Sequence, residues 1–168
     1  YMSSDIVQVS FEKCNPGAIV PQYAKDGDAG MDLCSCEDIT IHPQQTVLVP
    51  VGLKVAIPYG YEIQIRPRSG ISLNTMLRIP NAPGTIDCGY RNEINVIMHN
   101  SSIPSLSDSD EELTLSSKGS RHGTYVIHKG DRVAQMVLAK VSYVDWIEVD
   151  DVSSMGENRG GGFGSTGI

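Results

Sequence analysis

Apolar and polar residues alternate along most of this chain, the two-residue period of strands with one buried face. Val7, Val9 and Phe11 share a face of a first strand over Ile6–Phe11. Asp28–Leu33 opens a second extended segment, in which Asp32 points away from the face of Met31 and Leu33. The longest alternation puts Val47, Val49, Val51, Leu53, Val55 and Ile57 on one side, turns at Pro58-Tyr59-Gly60, and resumes with Tyr61, Ile63 and Ile65. This predicts a β-hairpin. Ile94, Val96 and Met98 mark a further strand, followed by strands over Tyr125–His128, Arg132–Ala139 and Val141–Val149, the last containing Trp146. One departure from this period follows Arg66-Pro67-Arg68-Ser69-Gly70, where Ser69 reads as the N-cap of a short helix.

Composition supports an all-β reading. The 168 residues suit one domain, and 17 glycines with 9 prolines suit many turns. The formal charge of −7 argues against a groove for a nucleic-acid polymer and leaves room for a small anion held by local arginines. No apolar run is long enough to span a membrane, and no secretory signal is visible, so an intracellular setting, cytoplasmic or nuclear, is expected. Cys14, Cys34, Cys36 and Cys88 lack zinc-ligand spacing and read as reduced thiols. Residues 101–123 are polar, first acidic and then basic, and predict a long surface loop.

Three segments carry candidate chemistry. In Gly84–Ile94 two strands are expected to meet at a turn, holding the Asp87 carboxylate and the Tyr90 phenol three residues apart, with Asn92 suited to a left-handed backbone. In Arg66–Gly70, two arginines before a helix start suit an anion. The tail, Asn158–Ile168, has glycine and serine amides able to wrap phosphates, one arginine and one aromatic ring, which suits a lid. Each also has a plainer reading: a surface turn, a cap with solvated arginines, a loose terminus.

Taken together and in order, Ala29–Leu33, Arg66–Gly70, Gly84–Tyr90, Gly130–Gln135 and Arg159–Gly167 resemble the five motifs of the trimeric deoxyuridine triphosphate nucleotidohydrolases (dUTPases). The resemblance implies a distorted β jelly-roll subunit with one short helix, in a homotrimer with shared active sites. It also implies hydrolysis of dUTP to dUMP and pyrophosphate with Mg²⁺, keeping uracil out of DNA and supplying dUMP for thymidylate synthesis. Asp87 matches the base that activates the attacking water, and Tyr90 the ring under the deoxyribose. Arg68, Ser69 and Gly70 match a phosphate motif lent by a neighbouring subunit, and Gln135 a phosphate-side polar residue. Asn81 and the main chain of Gly84, Thr85, Ile86 and on to Asn95 match the uracil reader. Arg159, Phe163, Gly164 and Ser165 match the lid, so residues 1–157 would form the β domain and 158–168 the closing segment. Asp32 matches an acid reaching Mg²⁺ through water, the ion being held mainly by substrate phosphates. Asn92 stands where that family usually has glycine, and the lid has one residue fewer between Arg159 and Phe163, which brings Asn158 nearer the expected arginine position. A dCTP deaminase relative and a catalytically quiet nucleotide sensor are the competing readings.

Overall fold

The computed structural model describes residues 5–107, 111–164 and 167. Among the described residues, eleven strands form four antiparallel sheets around one apolar core, a distorted jelly-roll. The largest sheet runs β2 (Met31–Cys34), β11 (Arg132–Lys140), β6 (Tyr61–Arg66), β8 (Gly84–Ile86). A second runs β4 (Thr46–Pro50), β9 (Asn95–Asn100), β7 (Leu77–Arg78). Two pairs complete the shell: β1 (Ser10–Lys13) with β5 (Leu53–Ala56), and β3 (Ile39–Ile41) with β10 (Tyr125–Ile127). One short helix, α1 (Ser69–Asn74), follows β6. Leu33, Ile41, Val49, Ile63, Val96 and Ile127 are among the side chains removed from solvent at the centre.

Several expected elements pair differently. The strand expected from Ile6 starts at Ser10. The predicted hairpin across Pro58-Tyr59-Gly60 does not form: β5 pairs with β1, and β6 with β11 and β8. The turn, closed by Tyr61 N–H on the Pro58 carbonyl at 3.2 Å, carries the chain from one sheet to another. The alternation from Val47 to Ile57 is cut at Gly52, whose φ of 77° breaks the strand. Val51 and Leu53 stay buried on either side, so the sequence pattern survives a break in the ladder.

Gly52 is fixed by its surroundings. Its N–H donates to Glu93 Oε1 at 3.0 Å, and an added Cβ would sit 2.9 Å from Asn15 Cβ and 3.0 Å from Ala18 Cβ. Gly52→Ala therefore combines a left-handed side chain with overpacking, and we expect a loss of about 2–4 kcal/mol in chemical denaturation. A loss below about 0.5 kcal/mol would show that the junction relaxes freely.

The described residues of the 101–123 surface loop are tied to the core. Ser102 is buried, Leu113 is only 2% exposed and bridges to Tyr125, and a 3-10 turn spans Pro104–Leu106. The acidic and basic halves meet in the Arg121–Glu111 ion pair. The expected strand over Val141–Val149 does not form: those residues pair with no strand among the described residues. After β11 the segment is rooted by Val141 N–H on the Gly60 carbonyl and by a Tyr59–Tyr143 ring stack at 5.1 Å. Trp146 is 88% exposed.

Candidate functional site

The register of the largest sheet assembles a first cluster. Gln135 on β11 stands opposite Asp32 on β2 and opposite Arg66 on β6, which puts all three in one row. The chain then crooks through Pro67, whose carbonyl accepts from Gln135 Nε2 at 2.9 Å. That crook delivers Arg68, whose Nε donates to Asp32 Oδ1 at 2.9 Å. A bulge at Val133 buries Val133 and Ala134 in succession and sets Arg132 opposite Cys34, on the face of Asp32. Arg132 Nη1 lies 3.7 Å from Asp32 Oδ2, and Arg68 Nη1 reaches the Arg132 carbonyl at 3.4 Å. Gly30 packs under the same glutamine: a Cβ there would meet Gln135 Oε1 at 2.5 Å. Two guanidinium groups against one carboxylate leave a net positive, partly exposed surface that suits phosphate oxygens. Burial, and then the Asp32 charge, push the Cys34 thiol up, so it stays neutral beside this cluster.

Ser69 and Gly70 follow directly as the first residues of α1. Ser69 lies inside the helix, and the cap position belongs to Arg68, whose side chain makes no cap hydrogen bond because it is turned to Asp32.

The second cluster surrounds Gly84–Ile94. The two strands expected to meet there as a ribbon do not pair: β8 pairs with β6, and β9 pairs with β4 and β7. They splay into different sheets and leave a pocket of about 190 Å³ lined by Ile65, Asn81, Gly84, Thr85, Tyr90 and Asn95, among others. Ile86 lines its floor. β8 is the edge of its sheet, so its outer main-chain groups meet no strand among the described residues. Gly84 permits the close approach, since an added Cβ would come 3.3 Å from Asn81 Nδ2 and 3.4 Å from Ile65 Cβ.

At the mouth, Tyr90 N–H donates to the Asp87 carbonyl at 3.1 Å, and Tyr90 OH to the Glu93 carbonyl at 2.9 Å. Asn95 Nδ2 donates to the same Glu93 carbonyl at 3.2 Å. Asn92 keeps a negative φ, so the turn closes without left-handed geometry there. Asp87 is exposed, and among the described residues its carboxyl accepts no hydrogen bond. A carboxylate so placed is open to a water or a ligand.

The two clusters do not converge within one chain. Ile86 stands opposite Ile63 and Gly84 opposite Ile65, so Asp87 lies beside the start of β6 while Arg68 lies beyond its end. At the rise of an extended strand the separation is on the order of 20 Å. The tail is a third, separate part. Arg159 and Phe163 are exposed, Gly160, Gly161, Phe163 and Gly164 adopt positive φ, and Asn158 Oδ1 accepts from Gly160 N–H at 2.8 Å. Ser165 lies outside the described residues.

Sequence reasoning missed Arg132 and Glu93. Arg132 belongs to the Gly130–Gln135 segment, but only the bulge reveals that it faces Asp32. Glu93 has no role in the sequence reading, yet it fastens the pocket's second leg to Gly52. The described residues contain no group of three or more His, Cys, Asp or Glu able to cage a metal ion. A cation at the first cluster would have the Asp32 carboxylate and would need the oxygens of a ligand.

The family model for dUTPase matches residues 17–167. The chain is 42% identical to the deoxyuridine 5'-triphosphate nucleotidohydrolase of Solibacter usitatus, over 96% of this chain and 97% of that relative. The dUTPase of Staphylococcus bacteriophage 80alpha, solved with dUPNHPP, superposes with a TM-score of 0.85 at 28% identity, covering 96% of this chain and 99% of that one. A D95N dUTPase of phage phi11 of S. aureus, described for its coordination of a structural Mg(II) ion, superposes at 0.77 and 26% identity, over 88% of this chain and 99% of that one. No helix among the described residues is long and apolar enough to cross a membrane.

Proposed function

Because the chain belongs to the dUTPase family, we propose that it hydrolyses dUTP to dUMP and pyrophosphate, with Asp87 taking the proton of the water that attacks the α-phosphorus. The observation that carries this reading is the exposed Asp87 carboxyl, which accepts no hydrogen bond among the described residues and directly follows Ile86, a residue lining the pocket with Asn81, Tyr90 and Asn95. Water is a poor nucleophile at neutral pH, and a positioned carboxylate is worth roughly 10²–10⁴-fold. Uracil enters between β8 and β9, where Asn81 and the peptide groups from Gly84 to Asn95 meet its edge. Cytosine presents the reverse donor order and would leave buried groups unpaired. Tyr90, held by the Glu93 carbonyl, packs under the deoxyribose.

The working unit is a homotrimer with shared sites. Asp87 and the Arg68 cluster are too far apart in one chain to act on a single triphosphate, so Arg68, Ser69, Gly70 and Gln135 serve the pocket of a neighbouring subunit. The exposed arm through Trp146 and Ile147 also suits an assembled state, since such side chains are seldom left in water. Arg159, Phe163, Gly164 and Ser165, on the 158–168 segment beyond the β domain, close over the nucleotide, the arginine toward the phosphates and the ring over the base.

Asp32 fits Mg²⁺ through an intervening water, because magnesium commonly keeps its waters and takes one or two carboxylates plus substrate phosphates. Bound there, the ion would neutralise phosphate charge. Arg68 and Arg132 flank Asp32 and supply positive charge of their own. The product would serve thymidylate synthesis, and removal of dUTP would keep uracil out of DNA.

Pyrophosphate release tests the assignment. We expect fast release from dUTP and much slower release from dCTP, dTTP and UTP. Ammonia release from dCTP would overturn it in favour of a deaminase, and tight dUTP binding without turnover in favour of a sensor.

A further inference from the structure

We propose that residues 101–107 and 111–125 brace the phosphate-side helix, with Ser120 and Tyr125 as positioning residues for Arg68, Ser69 and Gly70. The proposal rests on the function given above, which puts those three residues on the triphosphate.

Helix α1 has little to hold itself. It is six residues long, its N-cap residue makes no side-chain cap bond, and it carries no acid in its first turn and no base in its last. A helix this short is unstable without outside contacts. Ile71 anchors one side in the core, and Thr75 Oγ1 donates to the Ile71 carbonyl at 2.8 Å.

The remaining polar groups at the helix end are met from far along the chain. Ser120 N–H donates to the Asn74 carbonyl at 3.0 Å, and Ser120 Oγ to the Leu73 carbonyl at 3.2 Å. These are carbonyls that a helix end leaves without internal partners. Ser120 reaches both from a φ of 49°, a backbone conformation rare for serine. Ser101 N–H and Oγ donate to the Met76 carbonyl at 2.9 and 2.6 Å. Met76 N–H donates to the hydroxyl of the buried Tyr125 at 3.3 Å, and that hydroxyl donates to the Arg121 carbonyl at 2.7 Å.

The brace is itself fixed. Asn100 Nδ2 donates to the carbonyls of Ile41 and Gly123 at 2.9 and 2.7 Å, and Gly123 N–H donates to Ser102 Oγ at 3.0 Å. The segment that looks like surface decoration thus ties the far end of α1 to the core. The near end, Ser69 and Gly70, stays exposed for a ligand. Small displacements of groups that position a substrate are costly to catalysis, so the brace acts on phosphate contacts while leaving the base pocket alone.

The test compares two nucleotides on the full chain. Ser120→Gly keeps the left-handed backbone and the N–H but removes the Oγ bond. Tyr125→Phe removes the bridging hydroxyl. We expect affinity for dUPNHPP to fall about fivefold in Ser120→Gly, the worth of one hydrogen bond, with affinity for dUMP unchanged. Should Tyr125→Phe not fold, Ser120→Gly decides alone. Equal losses on both nucleotides, or no loss for dUPNHPP, would overturn the brace while wild-type turnover of dUTP leaves the functional reading standing. A wild-type protein that releases no pyrophosphate from dUTP would overturn both.

Discussion

Asp87→Asn is expected to bind dUTP with little change in affinity and to turn it over at least ~100-fold more slowly, the lower end of general-base effects. The two side chains have nearly the same shape. Asp87 is exposed, and no described residue donates to its carboxyl, so the substitution breaks no contact and should leave thermal stability unchanged. What is lost is the capacity to accept a proton from water. Single-turnover kinetics with radiolabelled dUTP, beside equilibrium binding of dUPNHPP, separate the two quantities. Turnover within tenfold of wild type would remove Asp87 from the chemistry.

The second large effect comes from mixing two inactive proteins. Arg68→Ala deletes a guanidinium at the phosphate cluster, a charge contact of the kind worth roughly 10²–10³-fold in a transition state. Alone it should be as poor an enzyme as Asp87→Asn. If each site takes its pocket from one subunit and its phosphate cluster from another, unfolding and refolding the two variants together makes some sites with both parts intact. With random assortment into trimers, about a quarter of wild-type activity should return. Return of none would place pocket and cluster in the same subunit and contradict the ~20 Å separation along β6. Arg132 stays beside Asp32 in Arg68→Ala, so the carboxylate is not stranded and the variant should fold.

Strand positions could be read from the sequence because a two-residue period survives on any half-buried strand, as in β6 and β9. Strand partners could not. The run from Val47 to Ile57 keeps its buried side through the Gly52 break, so periodicity hides the point where the chain changes sheets. Proximity in sequence suggested that β5 and β6 pair, and β8 with β9; in both cases the turn is a crossing between sheets. Residues 101–123 looked solvated because Leu113 and Ser102 are lone anchors in a polar run. The extended arm kept a strand-like pattern although no edge within the described chain receives it. At the candidate site the family resemblance already set Arg68, Ser69 and Gly70 apart from Asp87 and Tyr90; what the sequence could not show is that Asp32, Gln135 and Arg68 meet in one cluster, which follows from register and the crook at Pro67. The same holds for Arg132, which needed the bulge, and Glu93, which needed Gly52.

Splaying β8 away from β9 leaves one edge of β8 without a partner strand among the described residues, beside the pocket that Gly84, Thr85 and Ile86 line. Every residue except proline carries the same amide and carbonyl. If that edge reads the base as proposed, recognition would be sheltered from genetic drift: an exchange at Thr85, for instance, would alter bulk but keep the sequence of donors and acceptors offered. Changing which base is accepted would require a rerouted backbone, a step much harder to reach by single substitutions than the replacement of a contacting side chain.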